Sequence, residues 1–182
     1  LDTTMIYVTH DQVEAMTMGD RIVIMNKGLI EQVDSPKIAY SKPKNIFTST
    51  FIGTPQINLI KGELKKKDTK WSFTSKGIKL NIKKSHYQYS NLKEGKVVFA
   101  IRSENIHYKR FVDIKDDRNI INANVDFLEY LGSEIIMHLF CGYNKFSARF
   151  NQIIESDKTK SVQVLFDVSQ GHFFNIKTRD IL

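Results

Sequence analysis

One short string near the N-terminus, Thr4-Met5-Ile6-Tyr7-Val8-Thr9, constrains the fold more than any other. Met5, Ile6, Tyr7 and Val8 follow one another, so a strand made here shows apolar side chains on both faces. Strands of that kind sit inside parallel sheets that helices cover on either side. Such a strand needs neighbours, and only residues 21–26 lie close by as a further candidate. The first 60 residues are ill equipped to bury their own surface. We therefore expect a piece of a longer chain, or a segment that docks on a partner.

After this string, Asp11 is placed to cap a helix, with Glu14 three residues on and Gly19 as its stop. Residues 21–26 and 29–33 read as a hairpin about Lys27-Gly28. Ser35-Pro36 opens a second helix and Pro43 a third, which runs over 43–52 to Gly53. From Ile57 the texture changes to short strands with turn signals between them. The candidates are residues 57–64, 71–74, 78–82, 97–101, 120–128, 135–140, 145–150, 162–166 and 172–176. That spacing points to a small barrel or sandwich. The expected boundary lies near Gly53–Ile60, giving a front piece at 1–58 and a β-rich domain at 59–182.

Charge follows the same division. Residues 1–60 carry 5 Lys and Arg against 6 Asp and Glu, whereas residues 61–182 carry 22 against 14. Residues 61–110 hold 14 of those basic groups and 4 acidic ones. A basic half can mark an anionic partner. Lys outnumbers Arg 21 to 6 in a chain also rich in Ile and Asn, so we expect solvated lysines and no nucleic-acid partner. Apolar runs such as 22–25 and 135–137 fall far short of the about 20 residues of a membrane span. The single Cys141 excludes an intrachain disulfide framework and a Cys-rich zinc module. His86, His107, His138 and His172 have no partners at metal-ligand spacing. Trp71 and Phe73, among lysines with Tyr87 and Tyr89, could stack on bases, but their alternation fits the inward face of a strand.

The chemistry is concentrated in Tyr7-Val8-Thr9-His10-Asp11-Gln12-Val13-Glu14-Ala15. A histidine at the C-terminal end of a buried strand stands where α/β sheets bind ligands, and its ring can donate to a phosphate oxygen. The string resembles the switch-histidine loop of the ATP-binding cassette (ABC) ATPases. The likeness continues through Gly19-Asp20-Arg21-Ile22-Val23-Ile24-Met25-Asn26-Lys27-Gly28, Ser35-Pro36 and Pro43-Lys44-Asn45-Ile46-Phe47. Phe51-Ile52-Gly53-Thr54-Pro55-Gln56-Ile57-Asn58-Leu59-Ile60 is similar to the linker of sugar-importer ATPases of the maltose and multiple-sugar type. Ile101-Arg102-Ser103-Glu104, Glu129–Glu134 and His172-Phe173-Phe174-Asn175 resemble strings of that family's C-terminal regulatory domain, with Ser103 where the family has proline.

The resemblance implies a mixed fold. A C-terminal remnant of an α/β P-loop nucleotide-binding domain (1–58) would be followed by an all-β barrel of the oligosaccharide/oligonucleotide-binding type (59–182). It implies that His10 senses the γ-phosphate in an intact subunit that uses ATP and Mg2+ to import a sugar or sugar phosphate. It also implies a homodimer through the regulatory domain, permease subunits as partners with a solute-binding protein acting indirectly, and a place on the cytoplasmic face of the plasma membrane. A Gly-x-x-x-x-Gly-Lys-[Ser/Thr] loop, the Ser-Gly-Gly-Gln signature and a strand ending in Asp-Glu are absent from these 182 residues. Phosphoryl transfer draws its stabilisation mainly from such groups. We therefore expect no cofactor and no ATP turnover for this chain alone. The alternative is a stand-alone β-barrel module that binds a small oxyanion or single-stranded nucleic acid.

Overall fold

Apolar residues at every second position make the strands of the β-rich part, and a computed structural model shows how they close on one core. It describes residues 3–83, 92–111, 119–151 and 161–182. The front segment has helix α1 (Gln12–Met18), strands β1 (Ile22–Asn26) and β2 (Leu29–Asp34), and helices α2 (Pro36–Ser41) and α3 (Ile46–Phe51). The rest is β3 (Asn58–Lys67), β4 (Lys70–Ser75), β5 (Ile78–Ile82), β6 (Gly95–Ile101), β7 (Ile106–Tyr108), β8 (Ile120–Leu131), β9 (Glu134–Cys141), β10 (Asn144–Phe150), β11 (Ser161–Phe166) and β12 (His172–Asn175). Each of the nine expected strands forms. The short β7 is additional.

The strands build two five-stranded sheets in the orders β12-β6-β3-β4-β5 and β10-β9-β8-β11-β7, while β1 and β2 form a separate ribbon. Neighbours in both sheets run antiparallel. Between the sheets lies a core in which Phe73, Phe99 and Phe173 meet at centroid separations of 5.4, 5.8 and 5.0 Å. Gly62 makes room for this cluster: a Cβ there would stand 2.5 Å from the Phe73 ring.

Side chains, not a continuous backbone ladder, close the corners between the sheets. Asn58 Nδ2 donates to the Ser147 carbonyl at 2.8 Å, and its Oδ1 accepts the Ser147 N–H at 2.7 Å. At the far corner, Asn119 Oδ1 accepts the Asn81 N–H at 2.7 Å and its Nδ2 donates to the Asn81 carbonyl at 3.2 Å. Asn144 Nδ2 donates to the Lys76 carbonyl at 2.9 Å. In the first two seams an amide side chain imitates one peptide of a neighbouring strand.

The front segment rests on the outer face of the first sheet. Ile46 and Ile57 pack against Val98, Ala100 and Phe174. The C-terminal tail returns to the same place: the Ile46 N–H donates to the Arg179 carbonyl and the Ile181 N–H to the Lys44 carbonyl, both at 3.0 Å. A smaller cluster of Ile22, Ile24, Ala39 and Ile52 takes in Ala15 and Met16 of α1.

Three expectations need correction. Residues 4–9 form no strand: Met5, Ile6 and Val8 are 86, 92 and 89% exposed. The string carries the pattern of a central strand, and no described strand pairs with it, so its ladder groups stay open to water. The α/β sheet expected of a P-loop remnant is therefore not displayed. The third helix begins at Ile46, where Asn45 accepts the Thr48 N–H, and not at Pro43. Glu14 does not close a capping box on Asp11; it turns to Thr9 and Tyr7.

His172 reports on how dry the junction is. Burial beside Arg102 lowers its pKa from 6.5 to about 4. The folded state keeps the ring neutral, so its contribution to stability is complete above about pH 6.5. That contribution drains as pH falls toward 4, where the folded state at last accepts the proton. We expect urea-unfolding stability to drop by on the order of 3 kcal/mol more in the wild type than in His172→Leu across this window. Parallel pH profiles for the two proteins would contradict this.

Candidate functional site

His10 stands at a bend, exposed to solvent, in a loop whose backbone is held from both sides. Thr9 Oγ1 accepts the Asp11 N–H at 2.9 Å and donates to Glu14 Oε2 at 2.6 Å. The Tyr7 hydroxyl donates to the same carboxylate oxygen at 3.2 Å, and this bond raises the Tyr7 pKa. Asp11 Oδ1 then accepts the N–H groups of Val13 at 2.7 Å and Glu14 at 3.4 Å, the N-cap read from the sequence. The polar side chains around His10 thus spend their bonds on the loop. The imidazole is the group left facing outward, as a donor to an anion would be. Asp11 and Glu14 are loop-builders and not an acid–base pair.

Behind this loop lies a second cluster that the sequence marked only by resemblance. Arg102 is 4% exposed. Its Nη1 donates to the Ile52 carbonyl at 2.6 Å and the Ser49 carbonyl at 3.4 Å, and its Nη2 to the Tyr40 carbonyl at 3.1 Å. The guanidinium therefore sits at the C-terminal ends of both α2 and α3, where their carbonyls present partial negative charge. It also lies 3.9 Å above the Tyr40 ring. The Tyr40 hydroxyl donates to Glu104, and burial together with this bond pushes its pKa to about 12. Burial also draws the Arg102 pKa down from its usual value, the cost of holding this cation out of water.

The remaining candidates have structural employment. Phe73 is fully buried and Trp71 packs on the core with Lys66 5.7 Å from its ring, so this pair forms no open stacking platform. Lys61 and Lys96 line an open groove with Glu63, Thr74 and Tyr143. Cys141 is half-buried: its thiol donates to the Gly77 carbonyl at 3.1 Å, and partial burial raises its pKa. His138 stacks on Phe127 at 4.0 Å and lies 3.3 Å from Glu129. No group of three or more His, Cys, Asp or Glu among the described residues could hold a metal. His86, Tyr87 and Tyr89 lie outside the described residues. No described helix is long and apolar enough to cross a membrane.

No protein-family model matches the chain. Its relatives are informative. It is 37% identical over 185 residues to YurJ, an ABC transporter ATP-binding protein of Bacillus subtilis, covering 99% of this chain and 50% of that one. It is 38% identical to the trehalose/maltose import ATP-binding protein MalK of Thermococcus litoralis, over 98% of this chain and 48% of MalK. The oligosaccharides import ATP-binding protein MsmX of Bacillus subtilis is 37% identical, over 98% of this chain and 48% of MsmX. The chain thus spans about half the length of the curated relatives it matches. Among solved structures, the cytoplasmic molybdate-binding protein ModG with molybdate bound is similar at a TM-score of 0.47 and 16% identity, over 64% of this chain and 94% of that one. That likeness is too slight to transfer a barrel type or a ligand. Over nearly all of its length, this chain is a homologue of the ATP-binding proteins of ABC transporters, carbohydrate importers among them.

Proposed function

We propose that the chain is the C-terminal part of the ATPase subunit of an ABC importer that takes up a sugar or sugar phosphate. In this reading residues 1–58 complete a nucleotide-binding domain and residues 59–182 form a regulatory domain of the oligosaccharide/oligonucleotide-binding type. One observation carries it: the match to importer subunits extends over 98% of the chain, and so includes both the His10 loop and the β-rich part. The apolar side chains at residues 5–8 support it as well, since they have the pattern of a strand flanked by others.

Toward ATP and Mg2+ the described residues fit only in part. His10 can donate to a terminal phosphate oxygen, and its loop is held by Thr9, Asp11 and Glu14. The groups that would cradle the other phosphates and the magnesium are not among these residues. When bound, the nucleotide supplies the phosphoryl group and the driving force for transport. This chain's contribution is to hold an imidazole at a fixed place. By the same reading, the subunit sits on the cytoplasmic face of the membrane, pairs with a second copy through its regulatory domain, and contacts permease subunits that in turn meet the solute-binding protein.

A graft tests this. With this chain in place of the matching half of MsmX, we expect ATP turnover and growth on the oligosaccharides that MsmX serves. His10→Ala in the graft should lower kcat about 100-fold or more, with nucleotide affinity within a few-fold of the parent. A folded graft without turnover would overturn the reading. A large rise in nucleotide Kd at unchanged kcat would assign His10 to ground-state binding instead.

A further inference from the structure

The His10 loop is joined to the β-rich part by a short series of contacts. Gln12, the first residue of α1, accepts the Gly53 N–H on Oε1 at 2.6 Å. Among the described residues this is the one hydrogen bond between residues 3–18 and β1 or anything after it. Gly53 has φ +108°, a left-handed conformation that favours glycine. It also has no room for a side chain: a Cβ would stand 2.6 Å from Arg102 Nη1 and 3.1 Å from the Tyr40 ring. The carbonyl just before it, that of Ile52, is the one Arg102 holds most closely, at 2.6 Å. Arg102 immediately follows β6, so its backbone belongs to the β-rich part.

We propose that Arg102 is a positioning residue for His10, acting through Ile52, Gly53 and Gln12. The guanidinium fixes the peptide at residues 52–53. That peptide presents the Gly53 N–H to Gln12, and Gln12, next after the Asp11 cap, anchors the first turn of α1 against it and hence fixes where the loop two residues earlier points. The β-rich part can thereby alter how His10 is aimed without touching it. A shift in Arg102 moves the Gly53 N–H, and the loop follows. Coupling of this kind is reciprocal, so a change at Gln12 is felt at Arg102. The effect on turnover rests on the phosphate-facing reading of His10; the coupling itself does not.

The test uses the 182-residue chain, with histidine-ring and arginine-guanidinium NMR and amide exchange. Arg102→Lys keeps a cation but cannot span three carbonyls in one fork. We expect it to shift the His10 ring signals and to raise Gly53 amide exchange by about 3–10-fold. Gln12→Ala, a change on the surface of α1, should shift His10 similarly and also move the Arg102 guanidinium signal. The double variant should shift His10 no further than either single one, and His138 signals should stay in place in all three. Additive His10 shifts, or a His10 signal unmoved by Arg102→Lys in a folded protein, would overturn the proposal. If Arg102→Lys fails to fold, the Gln12→Ala effect on Arg102 decides alone, and an unmoved guanidinium refutes it. In the MsmX graft, Arg102→Lys should lower kcat with KM for ATP unchanged. If the NMR coupling holds while His10→Ala leaves kcat intact, the phosphate role of His10 falls and the positioning stands.

Discussion

Phe99→Ala is expected to cost about 3–5 kcal/mol of unfolding free energy, read as a fall in the urea midpoint at constant slope. Phe99 is fully buried, touches both Phe73 and Phe173, and belongs to β6, which pairs with both β3 and β12. A void here removes partner atoms from three strands at once. Gly171 shows how tightly the ring is seated, since a Cβ there would lie 2.3 Å from it. No small shift of the backbone can refill such a space. Tyr143→Ala is the matched control: this ring is 66% exposed, and its loss should cost about 0.5 kcal/mol or less. Equal losses for the two variants would mean that the core between the sheets is not where stability resides.

Arg102→Ala should act on a different part of the molecule. It strips the donor from the carbonyls of Tyr40, Ser49 and Ile52 and opens a space under the Tyr40 ring. Buried carbonyls left without a donor cost about 1–3 kcal/mol each, so the junction should lose about 3 kcal/mol or more. The loss should fall on α2 and α3 while the two sheets stay folded around their aromatic core. Tryptic cleavage after Lys37 and Lys44 should accelerate, with the β-rich fragment surviving. Unchanged cleavage there would show that apolar packing of Ile46 and Ile57 holds the helices without the guanidinium.

These two residues differ in how visible they were beforehand. Phe99 lies in an apolar run, Val97–Ile101, that reads as a buried strand. Phe73, beside Trp71, alternates as a strand's inner face should. Strand period is local information, and the nine expected strands are present. The 3-residue β7 was missed because it is too short to show a period. Residues 4–9 were misread for a related reason: the pattern states which neighbours a segment wants, not whether they are there. Arg102 is harder still. Its three carbonyl partners lie 50 or more residues away in sequence, and no spacing rule connects a cation to backbone oxygens so remote. The string Ile101-Arg102-Ser103-Glu104 was conspicuous only through its likeness to a family motif. The His10 loop stands between these cases. Its cap at Asp11 was legible, whereas the turn of Glu14 toward Thr9 and Tyr7 depends on a backbone path that the expected strand would have changed.

The asparagine seams give the fold a chemical vulnerability of its own. At Asn58 and Asn119 one amide both gives and receives, which is what lets a side chain stand in for a peptide. Hydrolysis of that amide to a carboxylate keeps the shape and adds a single oxygen in place of nitrogen. It also deletes the donor and sets a negative charge against the backbone carbonyl that the amide had served. In an ageing sample, deamidation at either position would therefore unlatch a corner of the two sheets while leaving the aromatic centre untouched.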